Sequence, residues 1–262
     1  MVCAAAAGAG IAMLAGTIMA DRRPSKGRRL RQTALLVGDS ITQYGFAFQP
    51  PGEGEQVPAA GWTAIIADVL QRKVDVVNRG LSGYNSRKIL AALPRIIEDL
   101  PEGNLIFATV FVGANDSQPD SGVADPLCSH VPLKEFKENI IAIIQLLRKK
   151  GAQHVLVISP PPVDETKEVM GRRLEITKTY AEQAAAAARD ASPATLHLDL
   201  FSAFQHHQPW QSLLVDGLHL NGRGNFLLAQ LVQGKLTEAG IVEEAPWDFP
   251  SWRDLDRFHP KL

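Results

Sequence analysis

The stretch Thr33-Ala34-Leu35-Leu36-Val37-Gly38-Asp39-Ser40-Ile41-Thr42 decides how this chain folds. Ala34 to Val37 form an apolar run too short for a helix, and it stops at Gly38 among residues that favour turns. It reads as a strand that delivers the chain into a turn and then a helix. The pattern repeats outward. Short apolar runs follow at Val74–Val77, Leu105–Val112, Val155–Ile158 and Thr195–Leu200. Between them lie stretches with helical spacing, at Gly61–Lys73, Arg87–Asp99, Leu133–Lys150, Lys167–Asp190 and Asn221–Gly240. Gly151 stands where a helix C-terminus wants a glycine, and Asn221 where an N-terminus wants a cap. The fifth run is expected to lead into a plain loop carrying Pro209. Five strands alternating with helices imply βαβ units, and hence an α/β domain with a parallel sheet covered on both faces. In such sheets ligands gather at the carboxyl ends of the strands.

Composition agrees with one globular domain. The chain has 262 residues, 45% of them hydrophobic and 21% charged, with no linker-like stretch in its middle. A net charge of −1 gives no basic surface for nucleic acid. Two cysteines, Cys3 and Cys128, rule out a disulfide framework. No C-x-x-C pair exists, and His206-His207 has no companions at metal spacing, so no metal is expected. Residues 1–31 are set apart from the domain at 32–262. Val2 to Ala20 carry no charge, and a basic run from Arg22 to Arg31 follows Asp21. No positive region precedes the apolar part, as a signal peptide would require. Its Ala and Gly content is weak for a membrane span. A transit peptide, an anchor, a disordered lead or a start at Met19 all stay open. Membrane contact is expected only through this segment. The location follows it: cytoplasmic if residues 1–20 are no signal, otherwise organellar, secreted or anchored.

Four short motifs fall at strand ends. Gly38-Asp39-Ser40-Ile41-Thr42 follows the first strand and exposes a serine hydroxyl where a helix begins. Asn78-Arg79-Gly80-Leu81-Ser82-Gly83-Tyr84-Asn85-Ser86 follows the second, with glycines that let backbone approach a ligand. Gly113-Ala114-Asn115-Asp116-Ser117 follows the third and offers an amide donor for an oxyanion. Asp216-Gly217-Leu218-His219-Leu220-Asn221 precedes the last helix. There a carboxylate three residues before a histidine can fix the tautomer that a serine nucleophile needs. Each motif alone reads as a turn or a cap. The lipase elbow G-x-S-x-G is absent from the sequence.

In this order the four motifs resemble the blocks of the GDSL/SGNH hydrolases, and the closer resemblance is to the isoamyl acetate-hydrolysing esterases. It rests on GDSITQY (Gly38–Tyr44), NRGLSGYNS (Asn78–Ser86), FVGANDS (Phe111–Ser117), DGLHL (Asp216–Leu220) and the tail Trp252-Arg253-Asp254. The resemblance implies a three-layer α/β/α sandwich, flavodoxin-like, with a parallel five-stranded sheet. It implies Ser40 as nucleophile, His219 as base and Asp216 as its orienting acid. The Ser40 and Gly83 N–H groups and the Asn115 amide would form the oxyanion hole. No cofactor is implied, and the partner is a small ester. Walls of the substrate pocket would come from loops such as 46–58 and 118–131. A thioesterase, a sugar deacetylase or an acyltransferase would use the same residues. A non-catalytic binding module would be marked by loss of one of them, and none is lost. Oligomeric state and chain-length preference are not encoded in any of these motifs.

Overall fold

The fold comes from a computed structural model that describes residues 31–49, 59–120, 129–167 and 169–241. Five strands form its main sheet: β1 (Thr33–Gly38), β2 (Asp75–Gly80), β3 (Leu105–Phe111), β4 (His154–Ile158) and β5 (Leu196–Leu198). All neighbours pair in parallel, in the order β2-β1-β3-β4-β5. Parallel neighbours need crossover helices, and these supply both outer layers. The helices are α1 (Ser40–Gln43), α2 (Trp62–Val69), α3 (Ser86–Ile96), α4 (Leu133–Lys149), α5 (Leu174–Ala191), α6 (Leu200–Gln205) and α7 (Gly222–Glu238).

The alternation of side chains along β1 builds two cores. Ala34 and Leu36 point toward Trp62 and Ile66 of α2 and Leu228 and Val232 of α7. Leu35 and Val37 point to the opposite layer, with Ile89 and Leu93 of α3 and Ile140 and Ile143 of α4. All six residues of β1 are buried, so its run is continuously apolar rather than alternating. Leu35, Leu36 and Val37 each contribute about 1.5–3 kcal/mol on burial, which fixes both the strand and its register.

Three expectations need correction. The second strand does not end at Asn78 but runs to Gly80, with Gly80 level with Gly38. Asn78 fits inside this edge strand because its amide donates to the Thr42 carbonyl at 2.7 Å and its Oδ1 accepts from Gly80 N–H at 2.8 Å. The fourth helix begins at Leu174, seven residues after Lys167. Asp164 turns the chain by accepting from Thr166 N–H and Oγ1–H, and Met170 and Gly171 then sit at φ 57° and 70°. Two left-handed residues in succession stop a right-handed helix. The expected loop after β5 contains α6, capped by Asp199 accepting from Ser202 N–H at 3.1 Å. At six residues it is too short to show a period.

Gly151 closes α4 at φ 104°, and Asn221 caps α7 by accepting from Gly224 N–H at 3.1 Å. No helix among the described residues is long and apolar enough to cross a membrane. Residues 1–30, both cysteines, most of the proposed pocket walls and the tail at Trp252-Arg253-Asp254 lie outside the described residues.

Candidate active site

The carboxyl ends of β1, β2 and β3 are level, with Gly38 opposite both Gly80 and Phe111. At this edge Gly38 has no room for a side chain. A Cβ there would stand 2.2 Å from Thr42 Oγ1 and 2.6 Å from the Phe111 carbonyl oxygen. The glycine therefore lets α1 turn directly over the sheet. Asp39 caps α1, its Oδ1 accepting from Ile41 N–H at 2.9 Å. Ser40 is the first helical residue, so its N–H has no partner within the helix.

The late motif meets this serine from α7's side. Ser40 Oγ lies 2.9 Å from His219 Nε2, and His219 Nδ1 lies 2.7 Å from Asp216 Oδ2. The other carboxylate oxygen, Oδ1, accepts from the N–H groups of Leu218 and His219 at 3.0 and 2.8 Å. Asp216 thus shapes its own turn while it holds the imidazole. Burial alone would raise the Asp216 carboxyl. The hydrogen bonds from His219 and Leu218 outweigh that and hold it below the usual carboxylate range. An ionised Asp216 requires a proton on Nδ1, which leaves Nε2 as an acceptor facing the serine.

The two middle motifs complete the edge. Gly83 adopts φ 76°, and nothing lies within 4 Å of where a Cβ would stand. Backbone conformation, not space, demands glycine here. Asn115 is buried at the end of β3. Its Nδ2 donates to the Tyr84 carbonyl at 2.8 Å, and its Oδ1 accepts from Arg172 Nη2 at 3.1 Å. Tyr44 stands edge-on to His219 with ring centroids 6.0 Å apart. Ile41, Tyr44, His219, Leu220 and Asn225 line a recess of about 20 Å³ beside the imidazole, room for one small group.

The structure therefore brings together Ser40, Gly83, Asn115, Asp216 and His219 around one strand edge. Arg172 had no sequence signal, because it sits in a stretch that reads as helix. The Tyr84 carbonyl was equally invisible, since a backbone atom carries no residue code. His206 and His207 are exposed near the end of α6. No group of three or more His, Cys, Asp and Glu suited to a metal occurs among the described residues.

Two buried carboxyls lie beneath the serine. Burial pushes Asp39 up to about 7 from its ordinary 3.8, and the nearby Asp116 adds to the rise. Burial likewise pushes Asp116 up to about 6. A carboxyl raised on folding keeps a proton that the unfolded chain has already lost. Its contribution is full at low pH, and stability falls as pH climbs from about 4 to about 7. Asp39→Asn keeps the capping oxygen and removes this titration. In urea unfolding, the wild type should lose stability between about pH 5 and pH 8 by more than the variant does. Parallel pH dependences would show that Asp39 is ionised throughout.

Comparison with known proteins gives the family. The GDSL-like lipase/acylhydrolase family matches residues 36–226, and the chain belongs to it. It is a carboxylic-ester hydrolase. It shares 36% identity over 257 residues with the isoamyl acetate-hydrolyzing esterase 1 homolog of Mus musculus, covering 93% of this chain and 96% of that protein. The isoamyl acetate-hydrolyzing esterase of Saccharomyces cerevisiae is 35% identical over 200 residues, 72% of this chain and 79% of that one. Among solved structures, a lipase/acylhydrolase from Enterococcus faecalis superposes with TM-score 0.60 at 22% identity, covering 79% of this chain and 96% of its own. A catalytic mutant of an acetylxylan esterase from Geobacillus stearothermophilus gives 0.61 at 21%, covering 84% and 97%. These two share the three-layer fold.

Proposed function

We propose that the protein hydrolyses small, short-chain carboxylic esters through an acyl-enzyme on Ser40. The observation that carries this reading is the continuous Ser40–His219–Asp216 hydrogen-bond chain. Ser40 Oγ attacks the ester carbonyl while His219 Nε2 takes its proton. The carbonyl oxygen becomes an oxyanion, held by the N–H groups of Ser40 and Gly83 and by an Asn115 amide hydrogen. Collapse breaks the bond to the alkoxy group, which leaves as the alcohol with the proton from His219. Water then attacks the acyl carbon, His219 takes and returns a proton, and the carboxylic acid leaves Ser40 free.

Two features favour a small ester and water over other uses of the site. The recess that the described residues form beside His219 suits a small group. The His219 side chain is 33% exposed and that of Asp216 51%, so water reaches the base, whereas acyl transfer needs water kept out. The names of the mouse and yeast relatives point to an acetate ester such as isoamyl acetate.

A fluorophosphonate probe should label Ser40 and no other serine on peptide mapping. Across p-nitrophenyl esters from acetate to decanoate, beside isoamyl acetate and acyl-CoA, turnover should be greatest for the shortest acyl groups. Labelling at Ser82 or Ser117 with Ser40 untouched would remove Ser40 as nucleophile. Faster cleavage of acyl-CoA would move the assignment to a thioesterase.

A further inference from the structure

Arg172 is 3% exposed and carries its charge into the interior, where an arginine is rarely found without a task. It lies in the turn between Gly171 at φ 70° and the start of α5. Its fork is spent on three acceptors. Nε donates to the Ala114 carbonyl at 2.7 Å, Nη1 to the Val169 carbonyl at 3.1 Å, and Nη2 to Asn115 Oδ1 at 3.1 Å. Two of these belong to the segment that follows β3.

The consequence lies in the Asn115 carboxamide. An amide side chain can be turned over, exchanging its oxygen and its nitrogen. Here both ends are decided. A guanidinium only donates, so the atom facing Arg172 must be Oδ1. A carbonyl only accepts, so the atom facing Tyr84 must be Nδ2. One Nδ2 hydrogen is thereby spent on Tyr84, and the planar amide fixes where the other points.

We infer that Arg172 is a positioning residue for the oxyanion hole, acting through Asn115 rather than on the substrate. The inference rests on Asn115 being an oxyanion donor. Burial opposes the guanidinium's charge and the ionised Asp216 favours it, and an arginine keeps its proton in a protein interior, so the cation remains available as a rigid donor. Lysine cannot replace it, because an ammonium does not present a planar fork to three acceptors.

The test is a double-mutant cycle with kcat expressed per site titrated by the fluorophosphonate. Asn115→Ala should lower kcat by about 10²-fold with KM little changed, the lower end for one lost donor because two backbone donors remain. Arg172→Gln and Arg172→Lys should each lower kcat by roughly 10- to 10²-fold, again at nearly constant KM, as expected for losses confined to the transition state. Adding either to Asn115→Ala should cost no more than about threefold further, because both changes remove one interaction. Arg172→Lys keeps a buried cation, and it serves where Arg172→Gln does not fold. Arg172 variants with a lowered Tm but normal kcat per titrated site would overturn the inference, as would losses that multiply in the double variant. An Asn115→Ala enzyme with normal kcat would instead overturn the donor role of Asn115 itself, and the inference with it.

Discussion

Ser40→Ala is expected to lower kcat by about 10⁵- to 10⁶-fold, His219→Ala by a similar factor, and the double variant by no more than either single one. In the proposed mechanism these residues act as a unit, so losing one forfeits what the other supplies. The hydroxyl needs a base within hydrogen-bond reach, and His219 Nε2 at 2.9 Å is the base that the described residues place there. What survives is the activity of the oxyanion donors and of substrate positioning, roughly 10³–10⁴-fold over water. Steady-state rates on p-nitrophenyl acetate would check this, with mass spectrometry confirming that the mutant sample holds no wild-type enzyme. Losses that multiply to far beyond the single effects would show two independent contributions in place of one relay.

Asp216→Asn should cost about 10³-fold in kcat while leaving the fold intact. The reason is the tautomer. In the variant, the carboxamide oxygen would still accept from the Leu218 and His219 N–H groups, as the aspartate does at 3.0 and 2.8 Å. The carboxamide nitrogen would then face His219 Nδ1 and demand an acceptor there. The ring proton would move to Nε2, where it points at Ser40 and leaves the hydroxyl without a base. A buried aspartate in the corresponding role is worth about 10⁴. Asp216 is half exposed, so solvent screens part of its charge, and the smaller factor is expected. Thermal melting beside kinetics checks both parts, and an asparagine variant with near-normal kcat would show that the carboxylate serves the turn alone.

The sequence carried the elements that rest on local chemistry. Leu35 and Val37 against Leu36 and Ala34 announce a strand buried on both faces, and Asn221 and Gly151 announce helix ends. The four motifs could be placed because each lies beside a strand or helix end, and the parallel sheet brings strand ends together whatever separates them in the chain. Ser40 and His219 are 179 residues apart, and only the sheet order joins them. Arg172 stayed hidden for the opposite reason. Its position depends on a turn made by Asp164, Met170 and Gly171, whose left-handed pair no periodicity describes. Asn78 misleads because an asparagine in a strand looks like its end. Only its bonds to Thr42 and Gly80 show why an edge strand accommodates it.

The level alignment of Gly38, Gly80 and Phe111 has a consequence for how such an enzyme diversifies. Ser40, Gly83 and Asn115 all lie within a few residues of strand ends, so their spacing is inherited from the hydrogen-bond ladder between strands. Connections further along the chain can lengthen, shorten or change composition without altering that spacing. The geometry of the chemistry is then set by the sheet and not by the length of those connections. A directed-evolution library for new acyl groups is accordingly best kept away from the strand ends. The first residues after β1, β2 and β3 should be left untouched, because a variant there changes every substrate's rate at once.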